Sequence, residues 1–172
     1  VRTILYGQAP SRRSGGKIAF VGAPNGTLLA ELAGVPADTF HELVDCRNLL
    51  TEYPGRSGPK GDDFPMAKAR SAAAIERGTW GAHDVVLFAG RSVASAFRFG
   101  TLDWFEWTRA QDGQLVVLIP HPSRVNHMWN DPAVHAAAAR VLRDAIAGSR
   151  VRALEVQVER IEQELVRRGR SE

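Results

Sequence analysis

Short apolar runs alternate along this chain with longer segments in which apolar residues recur every three or four positions. The strand-like runs are 3–7, 41–47, 84–88 and 115–119, and the last, Leu115-Val116-Val117-Leu118-Ile119, is apolar throughout. Between them, periodic or Ala-rich stretches predict helices over 26–34, 66–77, 91–98 and 133–147. The second places Met66, Ala69, Ala73 and Ile75 at roughly helical spacing. Loops fill the gaps: one from the first strand through residue 24, one over 53–65 rich in Gly, Pro and charge, and one over 120–132. Apolar strands alternating with helices predict a mostly parallel sheet covered on both faces. Right-handed crossovers then give a three-layer α/β/α sandwich.

The tail is patterned differently. Val151, Leu154, Val158, Ile161 and Leu165 recur at three- and four-residue steps with charges between them, which predicts an amphipathic helix packed on the body or on a partner. The expected organisation is therefore a domain over 1–149 and a C-terminal helix over 150–172. With 172 residues the chain is long enough for one domain with a proper core. No apolar run approaches the ~20 residues of a membrane span, and no secretory signal pattern opens the chain. Cys46 is the one cysteine, so an internal disulfide or a cysteine-held cluster is excluded. That fits a reducing cytoplasm, and a cytoplasmic monomer without cofactor is expected.

The net charge of +3 permits nucleic-acid binding without establishing it. Arg supplies 19 of the 22 basic residues, which suits phosphate contacts, although a GC-rich genome gives the same excess.

Two strand ends carry the candidate chemistry. Thr3-Ile4-Leu5-Tyr6 stops in Gly7-Gln8-Ala9-Pro10-Ser11, and Leu115–Ile119 stops in Pro120-His121-Pro122-Ser123. In open α/β sheets ligands bind beyond the carboxyl ends of strands, so two such loops build one site. The first loop is followed by Gly15-Gly16-Lys17, Ala19-Phe20-Val21-Gly22 and Gly26-Thr27-Leu28-Leu29. Asn48-Leu49-Leu50 with Tyr53-Pro54 comes next.

This ordered set, spanning residues 3–131, resembles the uracil-DNA glycosylase superfamily, and within it the family-4 branch. That branch has a Gly-Glu-Ala-Pro-Gly loop, a Phe-Val-Gly, a Leu-Leu helix, an Asn at a strand end and a final His-Pro-Ser. There are departures. Family-4 members hold an iron–sulfur cluster on four cysteines, and here Glu52 stands where a cluster cysteine is expected. The best-known branch has a water-positioning Asp in the first loop, where this chain has Ala9. It also has a Tyr that fences off C5 of the base, where this chain has Ser11.

The resemblance implies a monofunctional DNA glycosylase that hydrolyses the N-glycosidic bond of a flipped pyrimidine and leaves an abasic site. Its partner is DNA, and its setting is DNA repair or defence against phage. The base is uracil or, given Ser11 and Ala9, a C5-modified pyrimidine. The chemistry needs donors where the departing base becomes an anion. His121 is suited to donate to a pyrimidine O2, and Asn48 to read a base edge with its amide. These two are the expected catalytic residues. Phe20 is expected to stack on the base, and the backbone of Gln8 and Ala9 to cradle it. Gly7, Pro10, Ser11, Ser123 and Asn126 complete the expected substrate contacts. Arg12, Arg13 and Arg124 are expected on DNA, with Val125, Met128 and Trp129 as apolar wedges into the base stack. Packing of Met128 and Trp129 onto their own loop is the alternative, and Asp131 is expected to cap the next helix.

His41, His83 and His135 lack neighbours at metal-ligand spacing, and no metal site is expected. Asp62 or Asp63 could supply the carboxylate that Ala9 does not. Two other readings stay open: a non-catalytic module of the same fold that binds a flipped or damaged base, and a nucleoside or nucleotide hydrolase.

Overall fold

The sheet is assembled from short strands whose residues point alternately to two cores. In the computed structural model, which describes residues 2–11, 19–56, 63–82, 84–123 and 125–148, these strands are β1 (Thr3–Gly7), β2 (Val44–Asn48), β3 (Val85–Ala89), β4 (Thr108–Arg109) and β5 (Leu115–Ile119). Their order is β2-β1-β3-β5-β4. The first four run parallel, and β4 closes the edge antiparallel to β5. Every residue of β1 and β3 is buried, as expected for central strands covered on both faces.

Successive side chains of a strand leave on opposite faces, and the packing follows that rule. Ile4, Tyr6, Val86, Phe88, Val116 and Leu118 face α3 (Met66–Arg77) and α4 (Arg91–Ala96). Leu5, Val85, Leu87, Val117 and Ile119 share the other core with α1 (Pro24–Ala33), α2 (Ala37–Leu43) and α5, the helix over 132–148. The three-layer α/β/α sandwich predicted from the sequence is therefore present.

Three details differ from the expected elements. Residues 37–43 are helical, so the strand expected over 41–47 begins only at Val44. Pro36 stands before the helix and Asp38 in its first turn, while Phe40 is fully buried. Strand β4, two exposed residues long, was not foreseen. Helix α4 stops at Ala96, because Arg98 takes a left-handed φ of 67° that ends the helical run. The expected tail helix over 150–172 lies outside the described residues. Among the described residues no helix is long and apolar enough to cross a membrane.

A buried carboxylate ties the start of β1 to the start of β3. Asp84 accepts the Arg2 backbone N–H at 2.9 Å, its Nη2 at 2.7 Å and the Gly81 N–H at 2.9 Å. Burial alone would raise its pKa, but these donors and the Arg2 charge outweigh burial and hold the carboxyl below its usual range. Its stabilisation is therefore full above the ordinary carboxylate pKa and is lost as pH falls through the folded-state value. Asp84→Asn is expected to cost about 2 kcal/mol at pH 7, below the usual figure for a broken buried pair because the Arg2 guanidinium is partly solvated. Urea denaturation checks this, and the difference from wild type should shrink in acid.

Candidate functional site

Because β1, β2, β3 and β5 are parallel, their carboxyl ends share one edge, and the loops that leave them meet there. The register pairs Gly7 with Asn48, so the two stand side by side. Leu49 N–H donates to the Gly7 carbonyl and Leu50 N–H to that of Gln8, each at 2.9 Å, which carries the pairing past the strand ends. Arg47, immediately before Asn48, donates to Asp45 and, at 2.7 Å, to Glu76 on α3. These bonds fix the end of β2 and with it the Asn48 backbone.

Two glycines make room for one aromatic ring. A Cβ on Gly7 would lie 2.8 Å from Phe20 Cζ and 3.2 Å from Asn48 Oδ1. A Cβ on Gly26 would lie 2.0 Å from the Phe20 carbonyl oxygen. Phe20 itself has a φ of 65°, a conformation that costs a bulky L residue and persists only where the surroundings impose it. Here the surroundings are the first turn of α1 and the end of β1.

His121 arrives from β5. Its ring centroid lies 6.4 Å from that of Phe20, with the planes tilted by 55°. Behind it Gly90, with a φ of 103°, would bring a Cβ within 3.4 Å of the His121 Cβ. The His121 carbonyl accepts three hydrogen bonds: Ser123 N–H at 2.8 Å, Asn126 Nδ2 at 3.1 Å and Trp129 Nε1 at 2.8 Å. The backbone is thus held without using the imidazole. Burial lowers the imidazole pKa below its ordinary 6.5, so the ring is neutral at pH 7.

These groups line a pocket of about 210 Å³. Gln8, Ala9, Pro10, Ser11, Phe20, Asn48, His121 and Ser123, all expected from the sequence, border it. So do residues that were not expected there, including Val21, Asn25, Tyr53 and Pro54, and Asp63, which the sequence offered only as an alternative. No Lys or Arg borders it among the described residues. A half-apolar pocket with an amide, an uncharged imidazole and a carboxylate at its edge suits a flat polar ring better than a phosphate. A wider groove of about 630 Å³ adjoins it and shares Ala23, Asn25 and Ser123. Asn25 follows Pro24 at the start of α1, and that Pro-Asn-Gly helix start was the available signal for it.

Other expected contacts take different places. Gly7 stands behind the Phe20 ring rather than along the pocket wall. Asn126 spends both ends of its amide within its loop, accepting the Met128 N–H at 3.2 Å and donating to His121. Trp129 is tied down by its indole N–H, and its carbonyl lies 2.8 Å from His135 Nε2. Trp129 and Asn126 therefore brace the His121 loop. Met128 sits half-buried in the 3₁₀ turn His127–Asn130 and does not border the pocket. Val125, 82% exposed, is the apolar side chain that the loop projects outward. Asp131 caps α5, its carboxylate accepting the Ala133 N–H at 2.8 Å. Arg12, Arg13, Arg124 and Asp62 lie outside the described residues. No protein-family model and no curated protein matches the chain.

Proposed function

We propose that this chain is a monofunctional DNA glycosylase acting on an extruded pyrimidine. The observation that carries the reading is the grouping of Phe20, Asn48 and a neutral His121 around a pocket with room for a single ring. Breaking an N-glycosidic bond leaves positive charge on the sugar and negative charge on the base, as in glycoside hydrolysis. The His121 imidazole donates to the oxygen where that negative charge collects. Being neutral, it stabilises the anion without first needing a proton from solvent. Asn48 reads the base edge, and Phe20 stacks on its face. No Lys borders the pocket among the described residues.

Ser11 and Ala9 both border the pocket and are both small, which supports a base carrying a C5 substituent. Val125, exposed two residues beyond the pocket-lining Ser123, supports an apolar wedge into a base stack. The rival reading, a non-catalytic module that grips a flipped base, draws on Ala9, which offers no carboxylate in the first loop.

Duplexes carrying uracil, thymine, 5-hydroxymethylated or glycosylated pyrimidines, treated with the protein and then with alkali, test the proposal through strand breaks at abasic sites. Binding without breaks on all of them would favour the rival. Ser11→Tyr is expected to abolish excision of C5-substituted bases while sparing plain uracil, since overpacking a close-fitting pocket costs ~1–3 kcal/mol even where it adjusts. Uniform loss on every base would place Ser11 on a phosphate instead.

A further inference from the structure

The first loop offers Ala9 where a carboxylate would hold water, yet the pocket contains an acid. Asp63 is the one Asp or Glu among its described lining residues. It follows β2 in the chain, whereas His121 follows β5. The Asp63 N–H donates to the Gly55 carbonyl at 2.9 Å, which holds Asp63 beside Gly55. Its Oδ1 accepts the Phe64 N–H at 2.8 Å, which orients the carboxylate. Asp63 is exposed whereas Asn48 is half-buried, so the carboxylate belongs to the rim and the amide to the interior.

We infer that Asp63 is the catalytic carboxylate of this site, holding the attacking water against the sugar carbon and taking its proton. The inference rests on the glycosylase reading above. A base whose edge reaches Asn48 in the interior leaves its sugar at the rim, where Asp63 stands. The bond from C1′ to the base nitrogen breaks, and its electron pair leaves with the base. The water oxygen bonds to C1′, and the water proton passes to the Asp63 carboxylate. That proton then moves through solvent to the departed base, which leaves neutral, and the carboxylate is restored. The chemistry also needs an uncharged donor: a carboxylate against His121 would favour its protonated form, whereas burial lowers the pKa of that ring.

Asp63→Asn, Asp63→Ala and wild type are to be compared in single-turnover excision on the duplex that wild type cuts best. Duplex affinity by fluorescence anisotropy and thermal melting accompany each. Excision is expected to fall about 100-fold in both variants, within the usual range for a lost general base. Affinity should stay within about twofold, because phosphate contacts carry most of it. Added formate or azide should restore part of the Asp63→Ala rate, since a small anion fits the vacated place. A brace for the loop would show no such rescue. Variants as fast as wild type, or variants losing rate and affinity together without rescue, overturn the role of Asp63 and leave the glycosylase standing. Failure of wild type on every duplex overturns both.

Discussion

His121→Ala is expected to lower single-turnover base excision by roughly ten- to a thousandfold, the scale seen when one charge-stabilising donor is removed. The structure makes this a clean substitution. The three hydrogen bonds that hold the loop end on the His121 carbonyl, not on its ring. Alanine keeps that carbonyl, so Ser123, Asn126 and Trp129 keep their acceptor. What disappears is a half-buried neutral imidazole beside Phe20 and the pocket. Duplex binding should survive, because phosphate contacts dominate affinity. Excision by the variant at the wild-type rate would remove His121 from the chemistry. Loss of duplex affinity in parallel with rate would assign it to binding instead.

The strands and their order of appearance were legible because the central ones are largely apolar. A run such as Val85–Ala89, buried at every position, permits few other readings. The strand ends were legible for a related reason: Gly7, Asn48 and His121 sit where an apolar run gives way to a polar turn. Helix α2 was not legible because Leu43 and Val44 continue an apolar signal across the boundary between helix and strand. The burial of Phe40 by α1 and the sheet decides that boundary, and it is a tertiary effect. Strand β4 is too short to carry a pattern. Within the site, Val21 was missed although it directly follows Phe20, and other residues brought by folding were missed too. Asn25 comes from the start of α1, and Tyr53 and Pro54 come from the chain beyond β2, close to the bond from Asp63 to Gly55. For Trp129 the sequence left a wedge and packing onto its own loop both open, and its part-buried indole N–H donates to the His121 carbonyl, a bond that favours packing.

Gly26→Ala tests the architecture of the site without assuming any activity. Gly26 lies in the first turns of α1, and helix propensity alone favours alanine over glycine by up to about 1 kcal/mol. Sterics oppose it. The added Cβ would lie 2.0 Å from the Phe20 carbonyl oxygen and 2.9 Å from its carbonyl carbon. These are backbone atoms, so no side-chain rotation relieves the clash. Phe20 has little freedom to yield, because its φ is already 65° and its ring is packed against Gly7. Helix α1 cannot easily retreat, because Leu29, Ala30 and Ala33 are buried against the sheet core. The steric cost therefore wins, and Gly26→Ala is expected to destabilise by ~3 kcal/mol, the upper end for an overpacked site. The Phe20 ring should shift with it, so the pocket should lose its aromatic wall even where the chain still folds. Gly34→Ala is the control. Gly34, unlike Gly26, has a left-handed φ of 73°, and nothing lies within 4 Å of its Cβ position. It should lose only the backbone preference, about 1 kcal/mol. Chemical denaturation of the two variants beside wild type decides the matter. A Gly26→Ala protein as stable as wild type would mean that α1 and Phe20 do not approach this closely, and that the pocket has a different wall.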